Sequence, residues 1–445
     1  MGVRLFLCGV VVLLCGLLMA QEGEEPVTTP KPQEEKLPIE EKKEEPKEEK
    51  KEEPLSFEFL RLNIAWCGIA RFDYYSSDNI VDILQDGAVI LAPDPVHDTF
   101  WMKAAYLYAQ GKVGDIAGSL LLNFANKGTE PLCWLYVEFP LLEKFKECFK
   151  LRVGQFIKPF GRQTRTFPYE LPFGRYGQIY EWLFDDEVGF YDTGFSAYGS
   201  KTLNFLKLDL KLDYELGFFN GERMNERDTG DQKATCGRIE LSSKKLAALL
   251  PFKCNLFSFG FSYFNGGRRE INDAYDTKFL KRRYYGFDVE LRCLGNRLGL
   301  LFEYVSASDD LFYVDSMLGI PIIELNRVTD GWFVELGYFV WVNKRLDSEN
   351  APIAELRKRL FGLQIAFLLD VLNMPPNWKM EVATGESSRP MNIYGLAVSY
   401  DIRWNIKLQV ILARLDYGRY YSGLYAGVDD FSENRLTVQL GFIAF

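Results

Sequence analysis

The chain has 445 residues, of which 47% are hydrophobic and 15% aromatic, and its formal net charge is −10. This length allows one large domain or two to three ordinary ones. A helical membrane protein would carry runs of about 20 apolar residues, and the only such run lies at the N-terminus. The composition therefore excludes a multi-helix membrane protein, and nothing in the sequence resembles a nucleic-acid-binding patch.

The first segment, residues 1–20, has the pattern of a secretory signal peptide. Arg4 supplies a basic start, residues 10–19 form a short apolar core, and Ala20 is a small residue at its end. We predict cleavage after Ala20 and export from the cytoplasm. An uncleaved membrane anchor is the alternative.

Residues 21–54 differ in composition from the rest of the chain. They contain 13 Glu, seven Lys and six Pro, and they offer almost nothing to bury. Such a segment cannot offset its ordering entropy by burial, so we predict a disordered, solvated tail on the periplasmic side. Its simplest role is a spacer, and a contact with the cell wall or a partner is the alternative.

From Leu55 onward, apolar and polar residues alternate with a period of two, which is typical of β-strands. The clearest stretch is 205–219, in which one face carries Leu206, Leu208, Leu210, Leu212, Tyr214, Leu216 and Phe218, and the other carries Lys207, Asp209, Lys211, Asp213 and Glu215. A soluble sandwich and a membrane barrel both use such strands. The length of the strands, the aromatic residues near both ends of the apolar stripes and the C-terminal Phe445 favour the barrel.

The same pattern places sixteen strands along the chain. They are predicted near 56–75, 99–112, 115–126, 132–142, 148–158, 191–200, 204–219, 233–243, 254–264, 282–294, 297–307, 328–342, 358–371, 391–403, 406–417 and 433–445. Most alternate connections are long, with short turns between them, which is the outer-membrane arrangement. We predict an all-β fold, a transmembrane antiparallel β-barrel over residues 55–445 in the outer membrane, in contact with its lipid.

The C-terminal strand is irregular. Phe445 and Ile443 fit an outer-membrane ending, but the clean apolar stripe is one residue out of register with them. That stripe consists of Leu436, Val438, Leu440 and Phe442. A bulge near the end of the strand would reconcile the two patterns.

The cysteines and the single histidine give no sign of catalysis or metal binding. Six cysteines follow the signal segment without metal-ligand spacing, namely Cys67, Cys133, Cys148, Cys236, Cys254 and Cys293. Their positions within strand patterns predict small apolar residues, although an exported protein could oxidise them. His97 falls in a predicted loop, and a lone histidine cannot build a metal site. We predict no cofactor, no metal and no enzyme activity.

The segment at residues 151–163, LRVGQFIKPFGRQ, resembles the signature of the phosphate-selective porin O and P family. There, a strand with this pattern follows a short turn and an aromatic-rich strand, here 133–142. The resemblance is specific over about 130–165. It implies a sixteen-stranded, homotrimeric, ion-conducting barrel, and no anion-ladder position of the family can be placed on this sequence.

The longest predicted connection, 159–190, begins where Pro159 ends the fifth predicted strand, because proline cannot donate a ladder hydrogen bond. Folded inward, this loop would constrict the lumen; the alternative is an ordinary external loop. We take eight basic residues as pore-lining candidates: Arg61, Arg71, Lys150, Arg152, Lys158, Arg162, Arg165 and Arg175. The candidates gather around the fifth strand and the following loop, whereas the predicted luminal acids lie elsewhere.

Two functions follow from this sequence. The first is a porin, a passive diffusion channel for small ions and solutes with a weak preference for anions. The second is a structural or adhesive barrel whose lumen is plugged. Ten basic and nine acidic side chains on the clearer luminal faces do not make a cationic tunnel, so phosphate selectivity does not follow from the residues.

Overall fold

The computed structural model describes residues 61–77, 80–83, 89–92, 97–125, 131–142, 147–166, 169–184, 188–204, 208–221, 224–225, 233–250, 253–272, 275–314, 321–342, 360–373, 392–403, 406–417 and 431–444. The predicted signal peptide and tail, and the C-terminal Phe445, lie outside this set. The predicted long turn at 343–357 also lies outside it.

Sixteen antiparallel strands close into a barrel, as predicted, because the first strand of the wall pairs with both the second and the last. In chain order they are β1 (Arg61–Ser77), β4 (His97–Val113), β5 (Ile116–Asn123), β6 (Leu132–Pro140), β7 (Lys150–Ile157), β8 (Tyr191–Leu203), β9 (Leu210–Phe219), β10 (Ala234–Ser243), β11 (Cys254–Asn272), β12 (Tyr275–Cys293), β13 (Leu298–Val314), β14 (Pro321–Val342), β15 (Gly362–Asn373), β16 (Asn392–Arg403), β17 (Ile406–Tyr417) and β18 (Phe431–Ala444). A separate hairpin pairs β2 (Ile80–Ile83) with β3 (Val89–Ala92).

The residues that the structure describes contain little helix. Helix α1 (Gln178–Leu183) lies between β7 and β8, and helix α2 (Lys244–Ala248) joins β10 to β11. Short 3-10 turns occur at Gln163–Arg165 and Val188–Phe190. No helix within the described ranges is long and apolar enough to cross a membrane.

The two faces of the barrel wall separate as the alternation predicts. In β16, Tyr394 and Val398 point outward and are exposed, whereas Ala397 and Ser399 between and beside them point inward and are buried. The other described strands repeat this division, so a belt of exposed aliphatic and aromatic side chains surrounds the barrel. Charged and small residues share the inward face.

Several strands are longer than predicted. The predicted loops 265–281 and 308–327 are mostly strand, because the hairpins β11–β12 and β13–β14 continue through them. Residues near the tip of such a hairpin need no apolar stripe, since the backbone ladder alone can hold them together. In the opposite direction, the strand predicted to start at residue 204 starts at Leu210, and His97 is the first residue of β4 and not a loop residue.

The two ends of the barrel differ, and we call them the turn end and the loop end. At the turn end lie the connections β4–β5 and β12–β13, and β1 starts there. Cys254 and Cys293 pair across β11 and β12 at this end and form a disulfide. The prediction that these two cysteines act only as small apolar residues is therefore wrong. Cys67, Cys133 and Cys236 form no disulfide and are buried, as predicted for small core residues, and Cys148 forms no disulfide and is half-buried.

The C-terminal strand contains no bulge within its paired residues. β18 pairs with β17 and with β1 without a register shift. The stripe that ends in Leu440 and Phe442 faces outward, while Thr437 and Gln439 are buried on the inward face. The predicted bulge is thus wrong for residues 431–444.

Candidate functional site

The connection from β7 to β8 turns into the barrel. We call residues 158–190 the lumen loop, of which 158–166, 169–184 and 188–190 are described. At the base of the loop, the N–H of Lys158 donates to the carbonyl of Phe190 (2.8 Å). Pro159 then ends the strand, because it cannot donate the next ladder hydrogen bond. The loop then contacts inward-facing residues of β11, β13, β15 and β17, so it lies in the lumen and the external alternative is wrong.

The start of the loop is fixed to β11 and β13. The backbone N–H of Gly161 donates to Ser262 Oγ (2.9 Å). The N–H groups of Arg162 and Gln163 both donate to the carboxylate of Glu303, the second at 3.1 Å. Gly161 has φ +74, and a Cβ there would lie 2.1 Å from the Tyr180 hydroxyl oxygen, so only glycine fits.

Helix α1 is fixed to β14 and β15. The N–H of Gln178 donates to Asp370 Oδ2 (2.9 Å), which places a carboxylate at the start of the helix. Ile179 packs where Gly331 of β14 leaves space. The N–H of Gly177 donates to Gln163 Oε1 (2.5 Å), which ties the helix to the start of the loop.

The middle of the loop rests on β16, β17 and β18. Gln409 Nε2 donates to the carbonyls of Leu171 (3.3 Å) and Pro172 (3.0 Å). The rings of Phe173 and Tyr169 cover Gly395 and Gly441, positions at which a Cβ would lie 2.7 Å and 2.6 Å from the ring atoms. Inward-facing glycines on the wall therefore make room for the aromatic rings of the loop.

Aromatic rings fill the space between the loop and the wall. The centroid of Phe184 lies 5.8 Å from those of Phe160 and Tyr284. Lys158 Nζ lies 5.6 Å from the Phe184 ring centroid and 3.8 Å from an oxygen of Asp192. Burial lowers the pKa of this ammonium group, and Asp192 opposes the shift. Burial, followed by the nearby Glu303 charge, raises the pKa of Tyr180 well above its usual value, so this hydroxyl is a donor at neutral pH.

The predicted pore-lining residues are placed as follows. Seven of the eight make ion pairs: Arg71 with Asp73 (2.8 Å), Lys150 with Glu147 (2.8 Å), Arg152 with Glu138 (3.3 Å) and Glu215 (3.2 Å), Lys158 with Asp192 (3.8 Å), Arg162 with Glu240 (3.0 Å) and Glu290 (2.6 Å), Arg165 with Glu215 (3.5 Å), and Arg175 with Glu181 (2.6 Å). Arg61 is the first residue of β1, and its side chain lies outside the described part of the structure.

These pairs correct the predicted distribution of charge. The luminal acids do not lie elsewhere, because Glu215 of β9 and Glu240 of β10 reach the bases of β7 and the lumen loop. Arg162 and Arg165 come together near Glu215, Glu240 and Glu290, whereas Arg71 and Arg175 pair separately. The bases around β7 and the lumen loop, which the sequence predicted to lie apart from the luminal acids, form an ion-paired network with them.

Exposure distinguishes the bases of this network. The side chain of Arg165 is 43% exposed and that of Arg162 is 30% exposed, whereas that of Lys158 is only 5% exposed. Arg165 also has the longer contact with a carboxylate, 3.5 Å to Glu215, whereas Arg162 lies 3.0 Å from Glu240 and 2.6 Å from Glu290. It is therefore the loop cation most available to an ion in the lumen, and Lys158 serves the packing of the loop.

Sequence reasoning missed several residues of the site. Arg238 of β10 is buried and binds Asp288 through two nitrogen atoms (2.5 and 2.9 Å) and Glu240 through one (3.0 Å). Asp370 and Lys407 hold the loop from β15 and β17. Period two within the predicted strands could have placed all of them on the inward face, but it could not show that the loop covers them. Among the described residues, no group of three or more His, Cys, Asp or Glu could hold a metal ion.

Comparison with solved structures relates this fold to porins. An anion-selective porin from Comamonas acidovorans aligns with a TM-score of 0.50 and 10% identity over 86% of this chain and 100% of that one. Pseudomonas putida OprB aligns with a TM-score of 0.48 and 8% identity, over 86% of this chain and 94% of that one. OmpF of Salmonella typhi, in complex with daunomycin, aligns with a TM-score of 0.47 and 11% identity, over 86% of this chain and 99% of that one. No family model and no curated protein sequence matches the chain. The first alignment shows that the chain has the β-barrel fold of the porin class, and the O and P family remains a prediction.

Proposed function

We propose that this protein is an outer-membrane porin, through which small ions and solutes diffuse passively. The observation that carries the proposal is a closed sixteen-stranded barrel with an apolar outward face and a charged inward face. Lipid on the outside and water on the inside satisfy these two faces. Side chains of the wall alone cannot fill a barrel of this width. The lumen loop narrows the water-filled space that they leave.

The proposed channel prefers anions weakly. Arg165 and Arg162 present the most exposed cations of the lumen loop, and fixed cations raise the local concentration of anions. The acids beside them limit the effect, which favours a weak preference over a phosphate-specific path. The resemblance of residues 151–163 to the phosphate-selective porin O and P family supports membership of that family.

The remaining features of the proposal rest on the sequence. Residues 1–20 direct export as a cleaved signal peptide, and residues 21–54 form a solvated periplasmic tail for which contact with the cell wall is one role. The family resemblance supports a homotrimer. The proposed activity requires no cofactor.

A second candidate is a structural or adhesive barrel with a plugged lumen. The packing of the lumen loop favours it, because Tyr169, Phe160 and Tyr180 are each about 1% exposed within the barrel. The two candidates differ in one respect: only the porin leaves a continuous water path beside the loop.

Solute uptake separates these candidates. Purified protein should be extracted from membranes only with detergent, and proteoliposomes containing it should swell in isotonic solutions of small sugars. Liposomes with heat-unfolded protein are the control. Extraction without detergent would contradict the membrane barrel, and folded protein that gives no swelling would favour the plugged barrel.

A further inference from the structure

One carboxylate of the wall receives three hydrogen bonds from the lumen loop. Glu303 of β13 is 1% exposed and accepts from the backbone N–H groups of Arg162 and Gln163 and from the hydroxyl of Tyr180 (2.8 Å). The first two donors are adjacent in the chain, and the third comes from α1. Glu303 therefore joins the start of the loop to its helix.

The arginine near Glu303 binds a neighbouring carboxylate, and Glu303 receives its hydrogen bonds from the lumen loop. Its partner across the β12–β13 ladder is Asp288, a second inward carboxylate. Arg238 binds Asp288 through two nitrogen atoms, at 2.5 and 2.9 Å, and so compensates that charge. Glu303 instead satisfies its two oxygens with the three donors of the lumen loop, and a buried donor that loses its acceptor costs about 1–3 kcal/mol.

The contact of the loop backbone with Glu303 fixes the direction in which the side chains of Arg162 and Arg165 point. Arg162 donates its N–H to Glu303 of β13 while its guanidinium reaches Glu240 of β10 and Glu290 of β12. Arg165 follows within the 3-10 turn that starts at Gln163. A loop released from Glu303 would lose the orientation of both arginines and would no longer narrow the lumen at this point.

We propose that Glu303 is the positioning residue of the constriction, holding the lumen loop against β13 and thereby setting both the width and the charge of the ion path. This inference rests on the proposed porin function. It assigns to a wall residue, remote from the loop in sequence, the control of which solutes pass.

The test introduces the substitution Glu303→Gln into the full-length protein. Glutamine has the same shape but offers one acceptor oxygen and directs an NH₂ group at the remaining donors, so at least one N–H loses its partner. We expect a severalfold rise in single-channel conductance and swelling of proteoliposomes in larger neutral sugars than the unmodified protein admits. Asp213→Asn is the matched control, since it removes an inward carboxylate that pairs with Lys211 of its own strand, and it should leave the size limit unchanged.

A second variant guards against misfolding of the first. Tyr180→Phe removes one donor to Glu303 and keeps the ring that packs against Phe160, so it should produce a smaller shift in the same direction. The double variant should not exceed Glu303→Gln alone, because both changes act through one contact. Additive effects would contradict the shared contact.

Loop position is also measurable without conductance. Thr164 is 2% exposed, so the cysteine of Thr164→Cys should resist labelling by maleimide. Adding Glu303→Gln should make that cysteine reactive. Protein without Thr164→Cys gives the background labelling of the native cysteines. Protection and size limit both unchanged in folded Glu303→Gln would overturn the inference. Unmodified protein that does not conduct would instead contradict the proposed function, and the labelling rates would still decide the role of Glu303.

Discussion

At the scale of single residues, the lumen is governed by compensation of charge. Arg152, Arg162 and Arg165 each lie within 3.5 Å of a carboxylate oxygen. Buried bases need such partners, because an isolated charge in a low-dielectric interior is costly. The degree of exposure, and not the number of bases, therefore decides which residues can act on a passing ion.

Arg165 is the residue on which anion preference should depend most. Arg165→Gln should lower the anion-to-cation permeability ratio about two-fold, in line with the few tenths of a kcal/mol expected of an exposed charge interaction. The effect should shrink with salt, because the Debye length falls from about 30 Å at 0.01 M to about 3 Å at 1 M. The reversal potential under a salt gradient measures this ratio.

The control for that measurement is Lys245→Gln. Lys245 lies in α2 at the turn end, pairs with Asp209 and is 54% exposed, so its loss removes one cation outside the constriction. If Arg165→Gln leaves the reversal potential unchanged, or if both variants shift it equally, the loop cation does not set selectivity.

The sequence identified Arg152, Arg162 and Arg165 as bases of the site but not the acids that pair with them. Alternation places Arg152 on an inward face from its neighbours alone. The contact of Arg162 with Glu240 and Glu290 joins residues 78 and more positions apart and depends on the path of the lumen loop, for which no periodic pattern exists. Lys158 shows the consequence, since a residue expected to line the pore proves to be buried under Phe184.

At the scale of elements, strand position was predictable because each strand separates two environments. Where one face meets an apolar environment and the other meets polar groups, period two follows, and all sixteen predicted barrel strands overlap those of the structure. The prediction ended early in β11 and began late in β12, because Gly266, Gly267 and the charged residues after them interrupt the apolar stripe. Pairing continues there through the backbone.

The disulfide depends on register, which the sequence does not state. Cys254 and Cys293 become neighbours because β11 and β12 pair with these residues at their turn ends. Before that register is known, the six cysteines that follow residue 20 allow many pairings. Such a bond persists in an oxidising compartment, and the predicted export of the chain from the cytoplasm would bring it to one.

Removing this disulfide should destabilise the turn end. Cys254→Ser with Cys293→Ser should lower the free energy of unfolding by about 2–4 kcal/mol, the usual range for a cross-link of this kind. Urea unfolding of detergent-solubilised protein, followed by the loss of β-sheet circular dichroism, measures it. Cys148→Ser is the control because Cys148 is free. Equal stability of the paired variant and the oxidised parent would mean that the cross-link contributes nothing.

At the scale of the whole molecule, the barrel combines a wall that alternation dictates with a loop that it does not. The wall gives the apolar exterior and the charged interior, and these features place the protein in the porin class of folds. The lumen loop adds the aromatic packing and the ion-paired network, and whether the proposed channel conducts depends on the space that this loop leaves. Glycines of the wall, such as Gly395 and Gly441, accommodate its rings.

The central claim is that the lumen loop narrows the barrel without closing it. Purified full-length protein in a planar lipid bilayer tests this most directly. We expect stepwise increases in current of uniform size, with a small conductance that reflects the narrowed path and a reversal potential of weak anion preference. Folded, membrane-inserted protein that gives no current steps would contradict the claim and identify the barrel as plugged.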